Sequence, residues 1–276
     1  WNPSFAIHFI DIWSILLITY LIFLILYRSS ISARISLALS IIFPIIIFGE
    51  SFRWLIGRGL TEFFGSFILV LCSYLIYKKN LKINIKFLTI CLLIILTAWL
   101  REEKFLGAVS LILLSNHFKI KYNFIIDIFL FIFNNYKLII LYSLLILIGF
   151  PILFIIRNYI YSENLTALDN PVFLKFGYKS IYTIIMGVSH NEFPRLIAVV
   201  HIPAIIITIM ALISFKFYRY FNNLGFPIIV LMLTLPTLIF EIPGYIPRHS
   251  LYLLPYAILI NSLFIVKLHN SLNNKY

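Results

Sequence analysis

A succession of apolar stretches, separated by short charged segments, limits most strongly what this 276-residue chain can fold into. Hydrophobic residues make up 62% of the chain and charged residues 12%, about half the charged fraction of an ordinary soluble domain. The 10 Gly, 11 Pro and 2 Cys exclude a collagen-like chain and a disulfide framework. The sequence therefore predicts an all-α protein, a polytopic transmembrane helical bundle forming a single domain over 1–276.

Nine segments are apolar enough to be short or tilted membrane spans. They are 13–27, 36–49, 62–77, 86–100, 104–116, 138–156, 195–214, 225–241 and 249–267. Segment 123–134 is too short to cross comfortably and carries Asp127. We interpret it as interfacial or cytoplasmic, with a full span as the alternative.

The distribution of charge between the two sides supports this topology. With 123–134 on the inner side, the inner loops carry the whole net charge of +12, and acids balance bases outside. The basic character therefore reports on topology and requires no nucleic acid. We expect a multi-pass protein of the plasma (inner) membrane, with a cytoplasmic C-terminus, membrane lipids around it and its chemistry on the extracytoplasmic side.

Four outer connections combine Arg with other polar residues. Guanidinium groups bind carboxylate or phosphate through two parallel hydrogen bonds, so these connections are candidate anion sites. The residues concerned are Arg58 and Glu62, Arg101 and Glu102, Arg157 and Asn158 at the start of the long outer loop 157–194, and Arg248 and His249. Thr61 followed by Glu62 also fits a helix start, where a carboxylate is favourable.

Metal ligands and soluble-enzyme motifs are scarce in the sequence. His190 and Glu192 in the long outer loop could bind a metal, but no third ligand follows at regular spacing, so we predict no metal site. Cys72 and Cys91 lie in apolar spans and form no CxxC motif.

Taken in order, the outer segments resemble those of the GT-C glycosyltransferases. The motifs are Pro44 with 57–62 (GRGLTE), 100–106 (LREEKFL), Pro151 with 157–159 (RNY), and 247–255 (PRHSLYLLP). The resemblance is to the branch of dolichyl-phosphate-mannose protein mannosyltransferases and their bacterial relatives, enzymes of the cell envelope. In that family the hallmark acid lies in the first outer loop. The chain begins at Trp1 without Met, so we expect a missing N-terminal portion that holds the catalytic acid.

The resemblance implies transfer of a sugar from a polyprenyl-phosphate-linked donor to a lipid, glycan or protein acceptor, usually with inversion. Arg58, Arg101 and Arg248 would bind the donor phosphate. The supporting polar residues would be Glu62, Glu102, Arg157, Asn158 and His249. No cofactor is required by the sequence, and participation of a divalent metal stays open.

Two other functional classes fit the same hydropathy. A transporter or flippase of a lipid-linked or anionic substrate would use the Arg residues for binding alone, and it predicts polar groups deep inside several spans. A polysaccharide polymerase or ligase would differ in its acceptor and loops. A purely structural membrane subunit is a fourth interpretation.

Overall fold

The computed structural model describes residues 3–49, 62–77, 124–134, 195–214, 225–239 and 251–273, with isolated residues at 53, 56, 92, 96, 136, 137, 140, 144, 217, 220 and 221. This part of the chain forms seven α-helices and no strand, as expected for an all-α fold. The helices are α1 (Pro3–Arg28), α2 (Ala33–Phe48), α3 (Glu62–Tyr77), α4 (Phe124–Asn134), α5 (Arg195–Ile213), α6 (Gly225–Ile239) and α7 (Leu254–Asn273).

Six helices coincide with predicted spans, and α4 coincides with the predicted interfacial segment. The remaining spans (86–100, 104–116 and 138–156) and the outer loop 157–194 lie outside the described residues, apart from isolated positions. The start of α1 differs from the prediction, since the helix begins at Pro3 and not near residue 13. No Gly or Pro interrupts the chain between Pro3 and Arg28, and proline is favourable in the first turn of a helix.

Helix length separates α1 from the other described helices. Residues Phe5–Arg28 form the one helix of the described ranges that is long and apolar enough to cross a membrane, as judged by length and composition. Four further apolar helical segments are shorter: Ala33–Phe48, Glu62–Leu75, Val199–Ile213 and Gly225–Thr234.

The polarity of α1 is inverted relative to a helix on the surface of a soluble protein. Asp11 and Ser14 are buried, together with Ile18, on the face that packs inward. The opposite face exposes large apolar side chains such as Phe9 and Leu16. Soluble monomers rarely expose apolar surface of this extent, whereas it matches a hydrocarbon environment.

Helix α2 repeats this pattern. Ser36, Ser40 and Phe43 face inward, while Leu37 and Ile41 are exposed. The Ser40 hydroxyl donates to the Leu37 carbonyl at 2.8 Å, so the small polar side chain is satisfied within its own helix. Buried serines allow helices to approach closely, which is how helices associate when apolar burial gives little net driving force.

Helix α3 runs in the same direction as residues 251–256, which lead into α7 and form its first turn. The two meet along a seam of small and hydroxyl-bearing residues, named here the serine–tyrosine seam (Gly65, Ser66 and Ser73 with Tyr252 and Tyr256). The Ser66 hydroxyl donates to the Leu251 carbonyl at 3.3 Å. The Ser73 and Tyr256 hydroxyls lie 2.6 Å apart. The Ser73 hydroxyl also lies 3.0 Å from the Leu69 carbonyl oxygen, and the Tyr256 hydroxyl lies 2.9 Å from it. One of the two hydroxyls therefore donates to the other, and the second donates to the carbonyl. The order of the contacts along the two segments fixes their common direction.

Helices α1 and α3 are also parallel. Ser29, just beyond the end of α1, bonds the hydroxyl of Tyr77 at the end of α3 at 2.9 Å. Arg28 lies over the Tyr74 ring, 5.0 Å from its centroid. Because the two helices also pack along their lengths, they must run in the same direction from this shared end. The Tyr77 ring meets Phe226 of α6 there at 5.7 Å, and we call this end of the bundle the tyrosine end.

A side-chain amide supports the proline-containing helix α5. Pro203 has no N–H, so the Val199 carbonyl loses its helical donor. The Asn261 amide of α7 donates to the adjacent Val200 carbonyl at 2.8 Å. A neighbouring helix thus stabilises the backbone where proline weakens it, as is typical in membranes.

The turn between α1 and α2 contains a strained residue. Ser30 is exposed and has a φ of 67°, in the left-handed region that glycine adopts without steric cost. Ser32 then caps α2 by accepting a hydrogen bond from the Ile35 N–H at 3.4 Å.

We expect Gly65→Ala to destabilise the bundle by about 2 kcal/mol, because a Cβ at Gly65 would collide with the Tyr252 hydroxyl. In a Tyr252→Phe background the same substitution should cost less than half as much. Unfolding of all four forms in mild detergent measures the effect. An equal cost of Gly65→Ala in both backgrounds would contradict this contact.

We expect Ser30→Gly to stabilise the protein by about 0.5 to 1 kcal/mol, since it relieves the left-handed backbone strain. The matched control is Ser32→Gly, at a cap with a φ of −58°, which should give no gain. Thermal unfolding compares the two, and an equal stabilisation by both would refute the strain argument.

Candidate functional site

Two buried acids lie at the end of the bundle opposite the tyrosine end. Asp11 of α1 and Glu62 of α3 are each 2% exposed. Measured back from the contact of Ser29 with Tyr77, Asp11 lies about 27 Å along α1 and Glu62 about 22 Å along α3. The parallel helices therefore carry both acids to the same end.

Polar residues from three helical segments accompany the acids. Ser14 precedes Ser29 by the same number of residues as Glu62 precedes Tyr77, so Ser14 and Glu62 lie at the same level along the two helices. Ser14 is buried. Ser66 is buried one turn below Glu62, and Tyr252 is buried just before α7. Helices α1 and α7 are also in contact. We call this group, Asp11, Ser14, Glu62, Ser66 and Tyr252, the polar end.

Glu62 faces the segment that leads into α7. It lies on the same stripe of α3 as Ser66 and Ser73, at helical spacings of four and seven residues. Because Ser66 contacts Leu251, Glu62 lies about 6 Å beyond this contact, toward the N-terminal end of α3. Arg248 precedes Leu251 by three residues in the sequence.

Of the residues predicted from sequence, Glu62 is described by the structure, and it begins α3 as the Thr61–Glu62 pattern predicted. The other predicted site residues lie outside the described residues: Arg58, Arg101, Glu102, Arg157, Asn158, Arg248 and His249. His190 and Glu192 lie outside them too. Within the described ranges no group of three or more His, Cys, Asp or Glu could hold a metal ion.

The predicted first span, 13–27, begins after Asp11, whereas the structure places Asp11 inside α1. Its burial could have been found from periodicity, because Asp11, Ser14, Ile18, Ile22 and Ser29 share one helical stripe. Buried acids are costly in an apolar medium, and those that persist commonly serve a function.

A second set of buried polar side chains lies among α5, α6 and α7. Its members are His201, Thr208, Thr234 and Ser262. The Thr234 hydroxyl donates to the Val230 carbonyl of its own helix at 2.6 Å. The interior of this region is thus more polar than its apolar sequence indicated.

The serine–tyrosine seam positions the polar end, and its energy can be measured. We expect Tyr256→Phe and Ser73→Ala each to lower the free energy of unfolding by about 1 kcal/mol, since both remove a hydroxyl of the shared bond network. The double variant should lose less free energy of unfolding than the sum of the two single variants, with a coupling free energy near 0.6 kcal/mol. Strict additivity in this double-mutant cycle would show that the hydroxyls do not interact.

No family model matches the chain, and neither the curated proteins nor the solved structures include a significant match to it.

Proposed function

We propose that this protein is a multi-pass membrane glycosyltransferase of the GT-C type, which transfers a sugar from a polyprenyl-phosphate-linked donor to an acceptor on the extracytoplasmic side. The observation that carries the proposal is the polar end: two buried acids gathered at one end of a helix bundle with an apolar exterior. Such an end can meet both a lipid-borne donor and a polar acceptor.

The helix ends that meet at the tyrosine end are the ones that a multi-pass arrangement would place on the same side of the membrane. The ends of α1 and α3 and the start of α6 meet at the tyrosine end. The charge distribution assigns these same ends to the inner side. The polar end then faces outward, toward the loops in which the sequence concentrates Arg.

The proposed reaction makes one bond and breaks one bond. The acceptor oxygen forms a bond to the anomeric carbon, while the bond from that carbon to the phosphate oxygen breaks. The acceptor proton passes to a carboxylate, and polyprenyl phosphate leaves with the bonding electrons. Cationic donors stabilise the charge that develops on the leaving phosphate.

Arg58, Arg101 and Arg248 are the proposed phosphate ligands. Arg58 precedes Glu62 by four residues, and Arg248 precedes Leu251, the partner of Ser66, by three. Both Arg residues are therefore linked through short segments to the polar end. Guanidinium keeps its charge near lipid and binds phosphate through two parallel bonds.

Glu62 is proposed to act as a positioning residue for Arg248. Its carboxylate lies on the α3 face that meets the segment entering α7. A carboxylate that binds one edge of a guanidinium leaves the other edge for phosphate.

We expect Glu62→Gln to raise the KM for the lipid-linked donor about tenfold with a smaller change in kcat, because the variant loses a charge-assisted contact that orients the phosphate ligand. Arg248→Gln should lower kcat/KM by about a hundredfold or more. Both are measured with the full-length protein in proteoliposomes, as label transferred from polyprenyl-phosphate sugars to acceptors.

Asp127→Asn is the matched control, since Asp127 is also a buried acid but belongs to α4 and not to the polar end. It should leave both kinetic constants near those of the parent. A loss of activity in Asp127→Asn as large as in Glu62→Gln would show a general effect of removing a buried acid. Absence of transfer from every polyprenyl-phosphate sugar tested would refute the proposed reaction.

A transporter of a lipid-linked or anionic substrate is the second candidate, favoured by the buried polar set of α5, α6 and α7. These side chains are buried, and polar groups inside apolar helices are what a transporter requires. The same proteoliposomes distinguish the two functions. Movement of an intact lipid-linked substrate between leaflets, without release of polyprenyl phosphate, would establish transport.

A further inference from the structure

We propose that α4 is an in-plane anchor that binds the anionic lipids of the inner leaflet, with its phenylalanine face in the acyl region. This inference rests on the membrane placement within the proposed function and is independent of sugar transfer. Its partner is a lipid surface that carries negative headgroups.

One face of α4 is apolar and exposed. Phe129 and Leu130 follow Ile126 by three and four residues, and Phe133 follows Leu130 by three, so the four side chains share a face. Phe129 is 69% exposed and Phe133 is 77% exposed. Asp127, which lies away from this face, is 6% exposed. A helix facing water would turn the acid outward and the phenylalanines inward.

The length of α4 favours an orientation in the plane of the membrane. Its 11 residues extend about 16 Å, roughly half of the 30 Å hydrocarbon core. A helix of this length, with an apolar face and a buried acid, can lie along the boundary between acyl chains and headgroups with its exposed side chains at one depth.

The charges around α4 complement anionic headgroups. Lys119 and Lys121 precede the helix in the sequence, and Lys137 follows it. Lys137 is exposed, with its Nζ 5.9 Å from the centroid of the Tyr136 ring. Asp127 is the one acid in the sequence between 117 and 137, and it is buried, so among the described residues of this region the exposed charge is that of Lys137. Lysines near an anionic leaflet are attracted to it, and their stems extend along the apolar boundary.

Spin-label depth measurements on the full-length protein in nanodiscs test the anchor. Single Cys residues replace Ile126, Phe129 and Phe133 in a background with Cys72→Ala and Cys91→Ala. In discs that contain phosphatidylglycerol, accessibility to oxygen and to a nickel complex should place all three labels in the outer acyl region, within a few ångströms of one depth.

Anionic lipid is tested by two further conditions. In discs of phosphatidylcholine alone, or when Lys119, Lys121 and Lys137 are all replaced by Gln, the label at position 133 should become about threefold more accessible to the nickel complex. An unchanged label in both conditions would overturn the assignment of anionic lipid. A depth difference of about 10 Å between positions 126 and 133 would show a spanning helix and overturn the in-plane anchor. Labels fully accessible to the nickel complex would place the helix in water and overturn it as well.

Labels on the exposed face of α1, at Ile12, Leu16 and Tyr20, separate this proposal from the membrane placement. If α1 crosses the membrane, the three labels differ progressively in depth by about 6 Å per step of four residues. A depth gradient in α1 combined with water-exposed labels in α4 refutes the anchor alone. Water-exposed labels in both helices refute the membrane placement itself.

Discussion

The structure depends on the contact of α3 with residues 251–256, which lead into α7 and form its first turn, because that contact satisfies polar groups in an interior surrounded by apolar surface. Gly65 and the serines leave room for the tyrosines, and the hydroxyls of Ser66, Ser73 and Tyr256 bond to one another or to backbone carbonyls. Close packing and hydrogen bonds of this kind also hold helices together in hydrocarbon, where the burial of apolar side chains gives little net stabilisation. Helix α1 packs against both partners and adds its own buried Asp11 and Ser14.

Helix positions in the described residues could be predicted from hydropathy, because long apolar stretches bounded by charged residues favour helices. The start of α1 was missed, since a charged residue was interpreted as the boundary of a span. The sequence alone could not predict which helices pack against each other. Ser73 and Tyr256 are 183 residues apart, and many other serines and tyrosines in the chain could form the same kind of bond.

For the candidate site, the sequence predicted Glu62 as a helix-start acid near the outer boundary but gave no indication of the direction it faces. That direction follows from the rotation of α3, which is set by the approach of Tyr252 to Gly65. The apolar appearance of the spans was also misleading about their interior. A few polar residues that all face inward, such as Ser36 and Thr208, change hydropathy little but determine what lines the bundle.

The contacts that hold the bundle together also set the geometry of the polar end. Glu62, Ser66 and Ser73 share one stripe of α3, and Ser66 and Ser73 are bonded to the start of α7 and its first turn. Sliding α7 by one turn would displace it by about 5.4 Å and break both bonds. The same slide would shift Leu251 and Tyr252 relative to Glu62 by the same distance. A bundle with only nonspecific apolar contacts would tolerate such a shift. The hydrogen bonds of the seam do not tolerate it. An intact seam therefore fixes the position of Glu62 relative to the segment entering α7.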